Sequence, residues 1–239
     1  MTRHQTVLSY ILIVLQVFLL ILAFVDPQTL PAGIQYFGKF HPLLLHLPIA
    51  TGILLIPISI WIHKQGIAQI KVAFKTLLSY HAVLATLTAL GGLLLASNNE
   101  YDADTLFLHK WTGIGIALAA HALIYLNDLL EWKSNYWNLV LAGVTAILIF
   151  GSHLGGSLTH GEDFLSLGSK ELANNAIPPI DEKTTIYEAG IQPILNTKCV
   201  SCHNDQKKKG GLNFSSIEET LKGGKNGAIW AAGDPESSE

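Results

Sequence analysis

Five long apolar runs fill the first two-thirds of the chain, and they decide the solvent in which most of it can fold. Val7 to Val25 holds 19 residues without a charge, with only Ser9, Tyr10 and Gln16 as polar interruptions. As a helix it spans about 28 Å, close to the apolar thickness of a bilayer. Further runs follow at about Pro42–Ile62, Thr76–Ala96, Trp111–Leu130 and Leu139–Leu154. Charge is divided accordingly: 13 of the first 155 residues are charged, against 20 of the last 84. Residues 1–155 therefore read as membrane helices and the remainder as a water-facing part. A net charge of −3 leaves no basic footprint for nucleic acid.

The runs carry local detail. The first exceeds a usual signal-peptide core, and no small-x-small site precedes Asp26, so it reads as a retained anchor rather than a cleaved leader. Pro42, Pro48 and Pro57 predict a kinked or irregularly started second span. Trp61, Trp111, Trp132 and Trp137 fall near run ends, where an aromatic belt is expected. The loop from His63 to Lys75 carries Lys64, Lys71 and Lys75 without an acid, which assigns it to the cytoplasm. Five spans then place the N-terminus inside and the C-terminal part outside, in the periplasm of a bacterium.

Residues 156–183 read as an irregular connector. Thr185 with Glu188 fits a capping box opening a short helix to about Asn196, with Pro193 limiting its regularity. Ser216 with Glu219 fits another, stopped by Gly223-Gly224.

Cys199-Val200-Ser201-Cys202-His203 is the segment that carries chemistry. Two thiols at this spacing can each form a thioether to one vinyl group of a haem, and the next residue, His203, then stands under the iron as an axial ligand. A disulfide or a zinc site are the other readings. Zinc would need two further ligands, and the chain has no other cysteine. A thioredoxin-like pair would need a βαβ setting, which the pattern lacks.

The flanks carry a resemblance. Ile191-Gln192-Pro193-Ile194-Leu195, the Cys199–His203 segment, Lys207-Lys208-Lys209-Gly210-Gly211-Leu212, Leu221-Lys222-Gly223-Gly224 and Gly233-Asp234-Pro235-Glu236-Ser237-Ser238 occur in that order. Together they resemble the planctomycete-type cytochrome c domain over residues 184–239. The resemblance implies a small helical domain with one covalent haem c. In that family the pattern continues past the Pro-Glu-Ser-Ser segment, so the domain reads as truncated. Met1 is the one methionine, so a usual distal Met ligand is expected from a continuation; a histidine such as His160, or a five-coordinate iron, are the alternatives.

Eight of the ten histidines fall between residues 41 and 160. Ionisable groups in a bilayer are expensive and are functional candidates by default. His63 reads as solvated, and His41, His109 and His160 as interface residues. His46, His81, His121 and His153 form the candidate second site, for a haem b or a metal. Structural hydrogen bonding and a proton or quinone role are the competing readings. Gly38-Lys39-Phe40-His41-Pro42-Leu43-Leu44-Leu45-His46-Leu47-Pro48-Ile49, with Gly151-Ser152-His153 and Thr159-His160-Gly161 later, is similar to an uncharacterised family of multi-helix bacterial membrane domains over residues 34–165. That likeness implies architecture and no reaction.

The expected fold is all-α: an anchor (1–33), a histidine-containing membrane bundle (34–165), a linker (166–183) and an incomplete cytochrome c-like domain (184–239). The expected function is electron transfer at the periplasmic face of a bacterial inner membrane, with Cys199, Cys202 and His203 holding haem c. The partners would be the bilayer and a redox protein or quinone, and the chain reads as a carrier or subunit rather than a stand-alone enzyme. The alternatives are a quinol-oxidising subunit that uses membrane histidines, and a haem-based sensor or anchor module.

Overall fold

The computed structural model describes residues 3–26, 29–65, 68–96, 101–130, 135–160, 185–200, 202–205, 207–231 and 233–238. The chain divides into two compact units, Met1–Asn98 with Leu106–Leu154, and Asn99–Thr105 with Gly155–Glu239. Among the described residues the regular structure is helical, and β pairing is confined to two isolated bridges.

The first unit is built from α1 (Arg3–Leu22), α2 (Ala32–Gly38), α3 (His41–Leu44), α4 (His46–Gln65), α5 (Ala68–Leu95) and most of α6 (Ala103–Leu129) and α7 (Asn135–His160). Five helical stretches are long and apolar enough to cross a membrane: Arg3–Leu22, Ala32–Ile62, Ile70–Leu95, Ala103–Leu129 and Tyr136–His160. In hydrocarbon each backbone group must be satisfied within its own segment, and a helix does this. Ser and Thr hydroxyls within the spans are satisfied in the same way. Thr86 donates to the Ala82 carbonyl at 2.8 Å and Ser152 to the Leu148 carbonyl at 2.8 Å.

The proline-rich second span starts irregularly, as expected. It breaks after Gly38 and again at Leu45, giving α2, α3 and α4, and Pro57 lies within α4. The other spans begin earlier than hydropathy alone predicts. α5 starts at Ala68 rather than near Thr76, because Lys75 is drawn into the bundle and pairs with Asp128 of α6. α6 starts at Ala103 because the Asp102 carboxylate accepts from the Thr105 amide at 2.8 Å, which caps the helix. α7 runs to His160, so residues 156–160 of the expected connector are helical; the rest of it lies outside the described residues.

Cross-helix pairings fix the register. α1 runs parallel to α5: Gln5 donates to the Val72 carbonyl at 3.3 Å and Gln16 to Thr86 at 3.4 Å. Sequential spans run antiparallel. Thr51 of α4 meets His81 of α5, Lys75 of α5 meets Asp128 of α6, and His109 of α6 meets the Gly151 carbonyl of α7. The bundle thus alternates up and down, which brings His41, His109 and Gly151 to one end and Gln5, Lys75 and Asp128 to the other.

Its core is a stack of Leu12, Leu55, Leu78, Leu123, Ile124, Trp137 and Leu141. Trp137 is not a belt residue. It is fully buried, donates from Nε1 to Ser59 Oγ at 2.8 Å, and meets Phe74 edge-on. Trp132 lies outside the described residues. α1 turns Gln5, Ser9 and Gln16 inward, whereas Tyr10, Val14, Val17, Phe18 and Ile21 are exposed. An apolar outer face suits a lipid surround.

In the second unit the Thr185/Glu188 box forms as expected. Glu188 accepts from the Thr185 amide at 3.0 Å, and its own amide donates to Thr185 Oγ1 at 3.2 Å. A wide π-helical turn, Tyr187–Ile191, passes directly into the α-helix Gln192–Lys198, with Pro193 in its first turn. The later helix, Ile217–Leu221, is capped by Ser216, whose Oγ accepts from the Glu219 amide at 3.2 Å. That box is only half formed, because the Glu219 carboxylate turns to Lys222, Lys208 and Asn213.

Candidate functional site

The helix Gln192–Lys198 ends on the cysteine segment. The Cys199 and Val200 amides both donate to the Leu195 carbonyl, at 2.8 and 2.9 Å. The Cys199 carbonyl then accepts from the Cys202 and His203 amides, each at 3.0 Å. One tight turn therefore carries both thiols and the imidazole. Cys199 and Cys202 are half-buried and are not joined in a disulfide.

Asn204 closes the segment behind it. Its side chain donates to the Val200 carbonyl at 2.8 Å and accepts from the Lys207 amide at 2.8 Å, while its own amide bonds the Lys207 carbonyl at 2.8 Å. The His203 carbonyl accepts from the Phe214 amide at 2.8 Å, and the two rings meet edge-on with centroids 5.2 Å apart. Asn213, 3% exposed, ties this face to the next helix through Asp205 and Glu219.

The glycine pair has a steric reason. Gly223 adopts φ 72°, and a Cβ there would lie 2.0 Å from the Gly227 carbonyl oxygen. A Cβ on Gly224 would lie 2.7 Å from the Gly210 carbonyl oxygen. Only glycine lets these strands of loop approach so closely.

Two polar atoms at this site are buried with no hydrogen-bond partner: His203 Nδ1 and Lys207 Nζ. Burial holds the Lys207 ammonium below the usual lysine range, and a Cys202 thiolate opposes that shift. Each orphan costs about 1–3 kcal/mol if its role is only structural. The donor set fits a covalent haem: two thiols outside any disulfide and an imidazole on one turn, with a buried cation near the second thiol. Nothing in the sequence pattern singles out Lys207 from Lys208 and Lys209; its burial does.

Of the four membrane histidines of the expected second site, two are hydrogen-bonded across helices. His81 is 1% exposed, and its Nδ1 bonds Thr51 Oγ1 at 2.8 Å. His121 bonds Gln16 Oε1 at 2.8 Å and Ser9 Oγ at 3.3 Å, and Ser9 meets Tyr125 Oη at 2.6 Å. His46 and His153 lie on exposed faces. Among the described residues no three of His, Cys, Asp and Glu group as metal ligands would. The structure instead brings together His41 and His109, with ring centroids 6.2 Å apart. Sequence reasoning had left both at the interface.

No curated protein and no solved structure matches the chain. Residues 199–239, which begin on the first cysteine of the turn, match the family model of the Planctomycete cytochrome C. The C-terminal part of this chain is thus similar to the planctomycete cytochromes c, and it follows five helices long and apolar enough to cross a membrane.

Proposed function

We propose that the chain is a membrane-anchored c-type cytochrome that passes single electrons at the periplasmic face of a bacterial inner membrane. Cys199 and Cys202 would hold the haem by adding their S–H bonds across its two vinyl groups, and His203 would be an axial ligand. The reading is carried by the turn itself, in which the Cys202 and His203 amides both donate to the Cys199 carbonyl, so both thiols and the imidazole branch from one short stretch of backbone.

When bound, the haem supplies a one-electron Fe(III)/Fe(II) couple. The residues of this chain do the positioning. Phe214 backs the His203 ring, and Asn204 holds the loop that returns from it. Lys207 would neutralise a haem carboxylate and so end its own isolation. The five spans keep the site at a membrane surface, where a quinone-linked donor and a soluble acceptor can both be reached. Lys64, Lys71 and Lys75, around the junction of α4 and α5 and without an acid among them, favour the cytoplasm for that end of the bundle.

A pyridine haemochrome spectrum of the purified full chain tests this. The expected result is a c-type signal that disappears in the Cys199→Ala/Cys202→Ala variant. A chain without c-type signal, purified from a host with haem-attachment machinery, would overturn the reading.

A further inference from the structure

We infer that His41 and His109 are the two axial ligands of a second, non-covalent haem held between the membrane helices. His41 Nδ1 lies 2.9 Å from the Thr88 carbonyl oxygen, and His109 Nδ1 lies 2.9 Å from the Gly151 carbonyl oxygen. A carbonyl can only accept, so Nδ1 carries the proton in both rings. In a neutral ring this leaves the Nε2 lone pair for coordination. An Nδ1–H to carbonyl bond is the usual way a metal-binding histidine is oriented. The carbonyls come from α5 and α7 while the histidines sit on α3 and α6, so four helices fix the pair.

The spacing separates coordination geometries. Two imidazoles on opposite sides of one metal, each with a metal–nitrogen bond of about 2 Å, have centroids roughly 6 Å apart; a tetrahedral angle brings them to about 5 Å. The observed 6.2 Å fits the opposed arrangement. No third His, Cys, Asp or Glu joins the two among the described residues. A bare zinc or copper ion would lack ligands, whereas a haem brings its own four equatorial nitrogens and asks the protein for two.

α5 leaves room for the first ring. A Cβ on Gly92 would stand 3.1 Å from His41 Cε1, closer than side chains normally pack. This inference uses no residue of the cysteine turn.

The test is made on the full-length chain carrying Cys199→Ala/Cys202→Ala, purified in detergent from a haem-producing bacterium. About one b-type haem per chain is expected, with the low-spin electron paramagnetic resonance signal of two histidine ligands. His41→Gly and His109→Gly should each abolish that signal, and added imidazole should restore it, which separates ligand loss from misfolding. His81→Ala should leave it intact. Absence of b-type haem from the double-cysteine chain, zinc or copper bound in its place, or a low-spin signal surviving both glycine variants would each overturn the inference. Loss of only the c-type signal in the native chain would instead count against the cysteine turn as a haem site.

Discussion

Among the described residues, the two units differ in which buried polar side-chain atoms go unpaired: Asn127 Oδ1 in the membrane helices, against Tyr187 Oη, His203 Nδ1 and Lys207 Nζ in the C-terminal part. In the membrane helices, His81, His121, Gln16 and Ser9 are all hydrogen-bonded across helices. In the C-terminal part, His203 Nδ1 and Lys207 Nζ are buried without partners close to the cysteines in sequence. A satisfied polar group is explained by packing alone, because leaving it unmade is what costs. An unsatisfied one asks for something else to bind. By that measure His81 and His121 are clamps between helices, and the cysteine turn is a place prepared for a ligand. His41 and His109 are each tied through Nδ1 to a carbonyl of another helix.

The sharpest way to break this contrast is to remove a ligand from each region. His203→Ala should change the c-type spectrum by removing that axial ligand while the thioethers still hold the haem, a shift read by absorbance. His121→Leu should leave the c-type spectrum unchanged and cost only stability. If both variants changed the c-type haem alike, the two classes of polar group would not be distinct. Next in size is Trp137→Ala. Removing a fully buried indole, together with its bond to Ser59, should destabilise the bundle by about 3–5 kcal/mol. Thermal denaturation in detergent would show it, with the c-type haem content intact.

These pairs also show what a sequence makes legible. The cysteine turn is readable because its parts are adjacent: Cys199, Cys202 and His203 lie within five positions, and two of their amides meet one carbonyl. The spans are readable because hydropathy is local, and Ser9 and Gln16, seven residues apart, already fall on one helical face. Their ends are less so. Lys75 looks like loop until Asp128, from another helix, is there to meet it. Trp137 looks like an interface residue until Ser59 and Phe74 enclose it. The His41–His109 pair depends on the register of four helices, which no local pattern encodes. Lys207 differs from its two lysine neighbours only by burial, and burial is a tertiary fact.

A smaller effect probes the backbone of the C-terminal part. Gly223→Ala forces a Cβ onto a left-handed residue and against the Gly227 carbonyl. The conformation alone costs about 1–2 kcal/mol. Amide exchange of residues 207–231 in the full chain should accelerate accordingly. Exchange in α1 and α5 should not change, because they belong to the other unit.

The smallest predicted effect is the most specific, because it asks what the orphaned Lys207 ammonium is for. In the haem-free double-cysteine chain, burial lowers its pKa below the unfolded value. Between the lowered value and about 10.5 the unfolded chain binds more protons than the folded one. Stability of the C-terminal part should therefore rise with pH across that window, and fall again as pH drops through the folded pKa. Lys207→Met should flatten this dependence and raise stability at neutral pH, since no buried charge then needs a partner. In the haem-loaded protein the sign reverses. A cation near the iron favours the reduced state, so Lys207→Met should lower the midpoint potential. A loss of about 1 kcal/mol corresponds to roughly 40 mV for one electron. Redox titration of the full chain reads the second effect and amide exchange at two pH values reads the first. A lysine that only fills space would flatten the pH dependence without moving the potential, whereas a lysine set against a haem carboxylate moves both.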